Sequence, residues 1–144
     1  MANNFNLSNA AAKALADAFD DAVNIGSTAS TIAIYDGSQA TDPDTAIGAQ
    51  VLLATLTGSD PMFGAASDSN PGGLLTASAI TSDSSADATG TASWFRIRAT
   101  GSGADDVADG TCGTSGSDLN FNTVSITSGS TVAITAFTVT MSEG

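Results

Sequence analysis

The stretch Ala92–Ala99, ASWFRIRA, decides the fold class. Phe95 and Ile97 fall on one parity, and Trp94, Arg96 and Arg98 on the other. A period of two sends successive side chains to opposite faces, so this is a β-strand with one apolar face and one face of tryptophan and arginine. Upstream, Thr31–Tyr35 (TIAIY) alternates in the same way and stops at Asp36-Gly37. Val51–Leu56 (VLLATL) is an apolar run closed by Gly58-Ser59-Asp60-Pro61. Leu74–Thr81 and Val107–Cys112 read as two more strands. Turn-rich segments separate them, and Met62-Phe63-Gly64 is an apolar patch in a loop that tucks onto the core. Farther on, Leu119 and Phe121 share a parity that Val124 and Ile126 do not, and Val132 and Ile134 likewise give way to Phe137, Val139 and Met141. Each switch predicts a β-bulge, because strict pairing would turn half of the set outward.

Before residue 30 the period is helical. Ser8 is a good N-cap, and Ala11, Leu15, Phe19 and Val23 recur at every fourth position, widened by Ala18 and Ala22. Asn24 and Gly26 can end the helix. The domain plan is therefore an N-terminal arm over 1–7 and a single domain over 8–144, with a helix at 8–24 and a β-rich part at 30–141. The fold class is mainly β: an antiparallel β-sandwich or partly closed barrel of about seven strands with one N-terminal α-helix. No βαβ alternation points to a doubly wound sheet, and no fixed repeat is visible.

Composition narrows the chemistry. The 144 residues carry 3 Lys plus Arg against 15 Asp plus Glu, a net charge of −12. A chain this acidic repels phosphate, which excludes sequence-independent nucleic-acid binding. Histidine is absent and Cys112 is the single cysteine, so imidazole bases, His-ligated metals, internal disulfides and Cys-rich zinc sites are excluded. A lone thiol suits a reducing cytosol. Leu, Ile, Val and Phe total only 28, whereas Ala is 26 and Ser plus Thr 38. Such a core is lean and gains from association with a partner. No apolar run is long enough for a transmembrane helix, and MANNFNLSN is not a signal peptide.

No catalytic constellation emerges. Serines lack a histidine, Lys13 sits in an Ala-rich helix, and the chain reads as a non-enzyme without cofactor or metal. Asp42/Asp44, Asp83/Asp87 and Asp105/Asp106/Asp109 read as turn formers that bond their own backbone, since they lack a calcium-loop spacing. Two features point to an interface. Trp94, Arg96 and Arg98 form either a half-exposed face, with Arg stacked on Trp and paired to nearby Asp, or a contact hot spot. Phe5 and Leu7 make residues 1–7 either a frayed end or a docking arm. Cys112 reads as a small buried side chain with no cation to activate it.

Three stretches, taken together, bear on identity: LSNAAAKALADAFDDAVNIG (8–26 and its flank), IAIYDGSQATDPDTAIGAQVLLATLTGSDPMFGAASD (32–68), and the segment from SADATGTASWFRIRATGSG (85–103) through ADGTCGTSGSDLNFNTVSI to AFTVTM. Their order resembles a family of small structural proteins encoded by tailed bacteriophages and prophages. The resemblance covers most of the chain and implies a virion component. With the small acidic chain and its arm, it implies a capsid decoration (cement) protein on the outer capsid surface, made in the host cytoplasm. Its partners would be the major capsid protein and further copies of itself, a trimer at local three-fold positions, with no nucleic acid and no membrane. The alternatives are a tail, baseplate or head-fibre component, and a calcium- or carbohydrate-binding adhesion module built on the Asp-rich loops and Trp94.

Overall fold

The computed structural model describes residues 5–26, 28–69, 72–101 and 105–144; residues 1–4 of the expected arm lie outside them. The protein is mainly β with one N-terminal helix. Helix α1 (Asn9–Val23) begins at Ser8, an extended N-cap whose hydroxyl accepts the Ala11 N–H at 3.2 Å, and Asn24 closes its last turn. Ten strands follow among the described residues: β1 (Thr31–Tyr35), β2 (Leu52–Thr57), β3 (Ser67–Ser69), β4 (Gly72–Thr76), β5 (Gly90–Thr91), β6 (Trp94–Arg98), β7 (Asp106–Gly113), β8 (Leu119–Asn120), β9 (Ser125–Ile126) and β10 (Thr138–Ser142). A curled five-stranded sheet of order β2-β1-β6-β7-β8 forms a half-barrel. It is antiparallel except for the β7–β8 pair. A three-stranded sheet β10-β4-β3 and the short pair β5-β9 complete the strands.

The expectation of about seven strands is thus corrected to ten in three sheets. The reason lies where parity switches. Between Leu119 and Ile126 the chain does not bulge but leaves one sheet and joins another: β8 pairs with β7, and β9 pairs with β5. Val132 makes a lone bridge to Asp83, and β10 then pairs with β4. The bulges sit elsewhere, between Ile34 and Tyr35 in the β1–β2 pair and between Ile97 and Arg98 in the β6–β7 pair. The strand expected at Leu74–Thr81 stops at Thr76 and continues only as isolated bridges from Ala77 and Thr81.

The core lies on one face of the large sheet, where Ile32, Ile34, Phe95 and Ile97 meet Leu75, Phe137 and the helix. Met62 and Phe63 are fully buried from their loop, as the sequence predicts. The Phe63 ring stands 6.2 Å from Phe19 and 5.8 Å from Phe137, and Phe137 meets Phe95 edge-on at 5.5 Å.

The helix is rotated relative to the expected stripe. Ala12, Ala16 and Val23 are buried and Phe19 packs partly, whereas Leu15 is 51% exposed. Close approach explains the choice. A Cβ on Gly73 of β4 would lie 2.6 Å from Lys13 Cα and 2.7 Å from the Ala12 carbonyl oxygen. The helix backbone rests directly on that strand, and only small side chains fit between them. Gly73→Val is expected to lower stability by about 3 kcal/mol or more, because both obstructing groups are backbone. Gly64→Ala, at a position with nothing within 4 Å, is expected to change it by less than about 0.5 kcal/mol. Urea unfolding of the two variants checks both.

Candidate functional site

The tryptophan–arginine face of β6 is where the sequence concentrates its strongest side chains. The structure closes it. The segment between β1 and β2 folds back over this side of the sheet, and Ala40, Ile47 and Leu52 pack on a second small core of Ala33, Tyr35 and Trp94. Asp36 anchors both ends of the segment: its N–H donates to the Val51 carbonyl at 3.1 Å and its carboxylate accepts the Val51 N–H at 2.7 Å. Gln50 donates to the Ser38 carbonyl, and Ser93 donates to Gly37 across the sheet at 2.6 Å. The Trp94 ring stacks on Tyr35 at 4.7 Å and 18°, and its indole N–H donates to the Asp36 carbonyl at 3.1 Å.

Arg96 lies under the same cover, only 1% exposed. A guanidinium carries five N–H donors, and all five are satisfied. Nε and one terminal nitrogen grip Asp109 as a fork at 2.6 and 2.7 Å. The remaining donors reach the Asp106 carboxylate at 3.1 Å, the Thr45 carbonyl at 2.9 Å and the Asp42 carbonyl at 3.0 Å. The Cζ atom lies 5.4 Å from the Trp94 ring centroid. Hydrogen bonding to Asp109 raises the guanidinium pKa above its already high value, so the charge is permanent. Arg98 is half-buried at the rim, with Nε 3.0 Å from Asp106 in an ion pair that is not aligned as a hydrogen bond.

This cluster depends on the bulge. Asp106 and Asp109 differ by an odd number and would face opposite sides of a regular strand. In the β6–β7 pair Ile97 faces Ala108 and Arg98 faces Asp106, so Val107 is the extra residue. The reset brings Asp106 and Asp109 to the same face as Arg98 and Arg96. The sequence held a signal for this: two arginines before and three aspartates after a short glycine-containing stretch, RIRATGSGADDVAD.

Of the predicted interface residues, Trp94 and Arg96 are therefore internal; Arg96 lies against Trp94 and pairs with Asp109 and Asp106 as expected, but the expected exposure of that face is corrected, with Arg98 alone half-exposed at its rim. The reason is that the chain's own 36–51 segment covers that face. Phe5 stands apart from them and is 76% exposed, while Leu7 is half-buried, its N–H donating to the Glu143 carbonyl at 2.7 Å. Two of the other aspartates bond within the fold. Asp83 accepts the N–H groups of Thr55 and Ser85, and Asp42 accepts the Thr45 hydroxyl. Among the described residues no three carboxylate or thiol groups gather as a metal site, and no helix is long and apolar enough to cross a membrane. Burial pushes the Cys112 thiol up to about 12, which leaves it protonated and poorly nucleophilic at neutral pH. Comparison with protein-family models, curated proteins and solved structures returns no match.

Two outcomes are expected. Asp109→Asn leaves a buried guanidinium underpaired and should cost about 3–5 kcal/mol, whereas Arg98→Ala at the rim should cost under about 1 kcal/mol; chemical denaturation separates them. Acid sensitivity is the second. The Thr111 N–H and hydroxyl, each 2.8 Å away, hold Asp118 below its ordinary 3.8, and Lys13, followed by the Ala66 N–H, does the same for Asp17. A depressed folded pKa gives stability that is complete above 3.8 and is lost as pH falls toward the folded value. Asp20, raised by burial, acts with the opposite sign and offsets part of that loss. Melting curves of the parent and Asp118→Asn should differ at neutral pH and converge below pH 3.8.

Proposed function

We propose that the chain is a bacteriophage virion structural protein, a capsid decoration (cement) protein bound to the outer surface of the assembled shell. The observation that carries this reading is the N-terminal segment. Its backbone is rooted beside the C-terminus through Leu7 and Glu143, and from that root Phe5 projects with three quarters of its surface exposed. A large aromatic on an extended segment favours contact with a neighbouring subunit. The ordered resemblance of three stretches to phage structural proteins supports the same reading. So does the use of the cations: Lys13 pairs with Asp17, Arg96 with Asp109 and Asp106, and Arg98 with Asp106, which leaves the exterior acidic.

The mechanism is mechanical. Copies of the chain associate, each assembly touches several capsid subunits, and modest contacts multiply into firm attachment through effective concentration. Bridging adds buried area across subunit boundaries and resists outward pressure on the shell. The trimer at local three-fold positions and the major capsid protein as partner belong to this proposal. In architecture, we read the two larger sheets as the halves of an incompletely closed sandwich. The carbohydrate-binding alternative would need Trp94 as a platform, and that ring is buried under the chain's own loop.

Purified particles of a phage carrying the chain provide the test, by quantitative mass spectrometry of its copy number. A decoration role predicts a number comparable to that of the major capsid protein, and deletion of residues 1–7 is expected to strip it from particles while its circular dichroism stays β-rich. A few copies per particle would move the protein to the tail, baseplate or a head fibre, and absence from particles would overturn the reading.

A further inference from the structure

On the core side of the sheet a slot of about 300 Å³ opens between β7 and β10. Its apolar lining includes Phe19, Phe95, Ile97, Phe137, Val139 and Met141. Both flanking strands have an open edge among the described residues. β10 pairs only with β4, and β8 covers only Cys112 and Gly113 of β7. An apolar floor between two unpaired strand edges is the arrangement that accepts an added strand: backbone groups pair along the edge and alternate side chains fill the pocket.

The same chain presents a matching segment. Among the described residues Phe5 is the most exposed large apolar side chain, and its backbone approaches Gly144 just past β10 rather than entering the slot. Charge favours the match. Two copies each carrying −12 repel over most of their surfaces, but the segment MANNFNLS and the strand TVTMS hold no carboxylate. Of the two aspartates that border the slot, Asp109 turns its carboxylate to Arg96 on the opposite face of the sheet, and Asp118 is engaged by Thr111. We propose that the slot receives the Phe5-bearing segment of a second copy of this chain, laid along the open edge of β10 with the phenyl ring against the apolar floor. Such a contact joins two different surfaces, so it repeats from copy to copy until the rotation closes a ring. The inference goes beyond the virion reading, since it concerns the isolated protein and stands whether or not a capsid is the final partner.

Sedimentation of the purified full chain tests it. Self-association is expected, stronger at high salt where like-charge repulsion is screened. Phe5→Ser should weaken it by about tenfold or more, with the melting temperature unchanged at concentrations low enough that both proteins are monomeric. In a Cys112→Ser background that keeps the Phe5 ring, mixing Asn6→Cys with Thr140→Cys should give an intermolecular disulfide, and mixing Asn6→Cys with Ser84→Cys should not. A monomer at every salt concentration, an oligomer indifferent to Phe5→Ser, or a disulfide formed only within one chain of the Asn6→Cys/Thr140→Cys double variant would each overturn the proposal. Each of these results is independent of whether the protein is found on particles.

Discussion

The fold turns on one buried cation. Arg96 sits in the middle strand of the large sheet with five donors spent on two carboxylates and two backbone carbonyls. Three separate segments meet there: β6, β7 and the long β1–β2 connection. A buried charge is tolerated only when every donor is paired, and removal of one partner exposes the full desolvation cost. That requirement fixes the bulge at Val107, since only a shifted register sends both aspartates to the arginine. It also fixes the path of the connection, whose carbonyls at Asp42 and Thr45 are acceptors that no other segment supplies. The protein has few large aliphatic side chains, and it seals its second sheet face with a hydrogen-bonded clasp, one stacked aromatic pair and a small apolar cluster around them.

Much of this was legible in the sequence. The alternation of TIAIY reproduces β1 residue for residue, the stretch Ala92–Ala99 contains β6 and overshoots it at both ends, and Ser8 caps the helix as its side chain requires. The buried loop patch at Met62-Phe63 was also readable, because two large apolar residues between turn formers have nowhere else to go. What escaped depended on partners distant in sequence. Periodicity put Leu15 inside, but contact with Gly73 favours the alanine face, and no local pattern reports that contact. Parity switches after residue 119 were visible, yet parity alone does not separate a bulge from a chain that changes sheets. Trp94 and Arg96 looked like surface because alternation assigns a face without saying what covers it.

Closing that face shifts attention to the other end of the molecule. The clasp uses up the side chains that usually build hot spots; among the described residues the exposed large apolar side chains are Leu15, Ile25, Val51 and, most of all, Phe5, and an apolar slot lies between two open strand edges. A chain of this charge gains little from general stickiness, so association is confined to places where carboxylates are absent or engaged. In the proposed assembly the Phe5-bearing segment of one copy meets the slot of the next, and a lean core is the kind that gains most from such contacts.

Amide hydrogen exchange over residues 36–51 tests the central claim most directly. If Arg96 locks this connection to the sheet, the N–H groups of Asp36, Thr45 and Val51, bonded to Val51, Asp42 and Asp36, exchange only through global unfolding, at the rate of the β1 and β6 amides. Exchange of the Thr45 and Val51 amides by local opening, many times faster than that of β6, would show that the connection lifts off while the sheet stays folded, and the clasp would not be the interaction on which the structure depends.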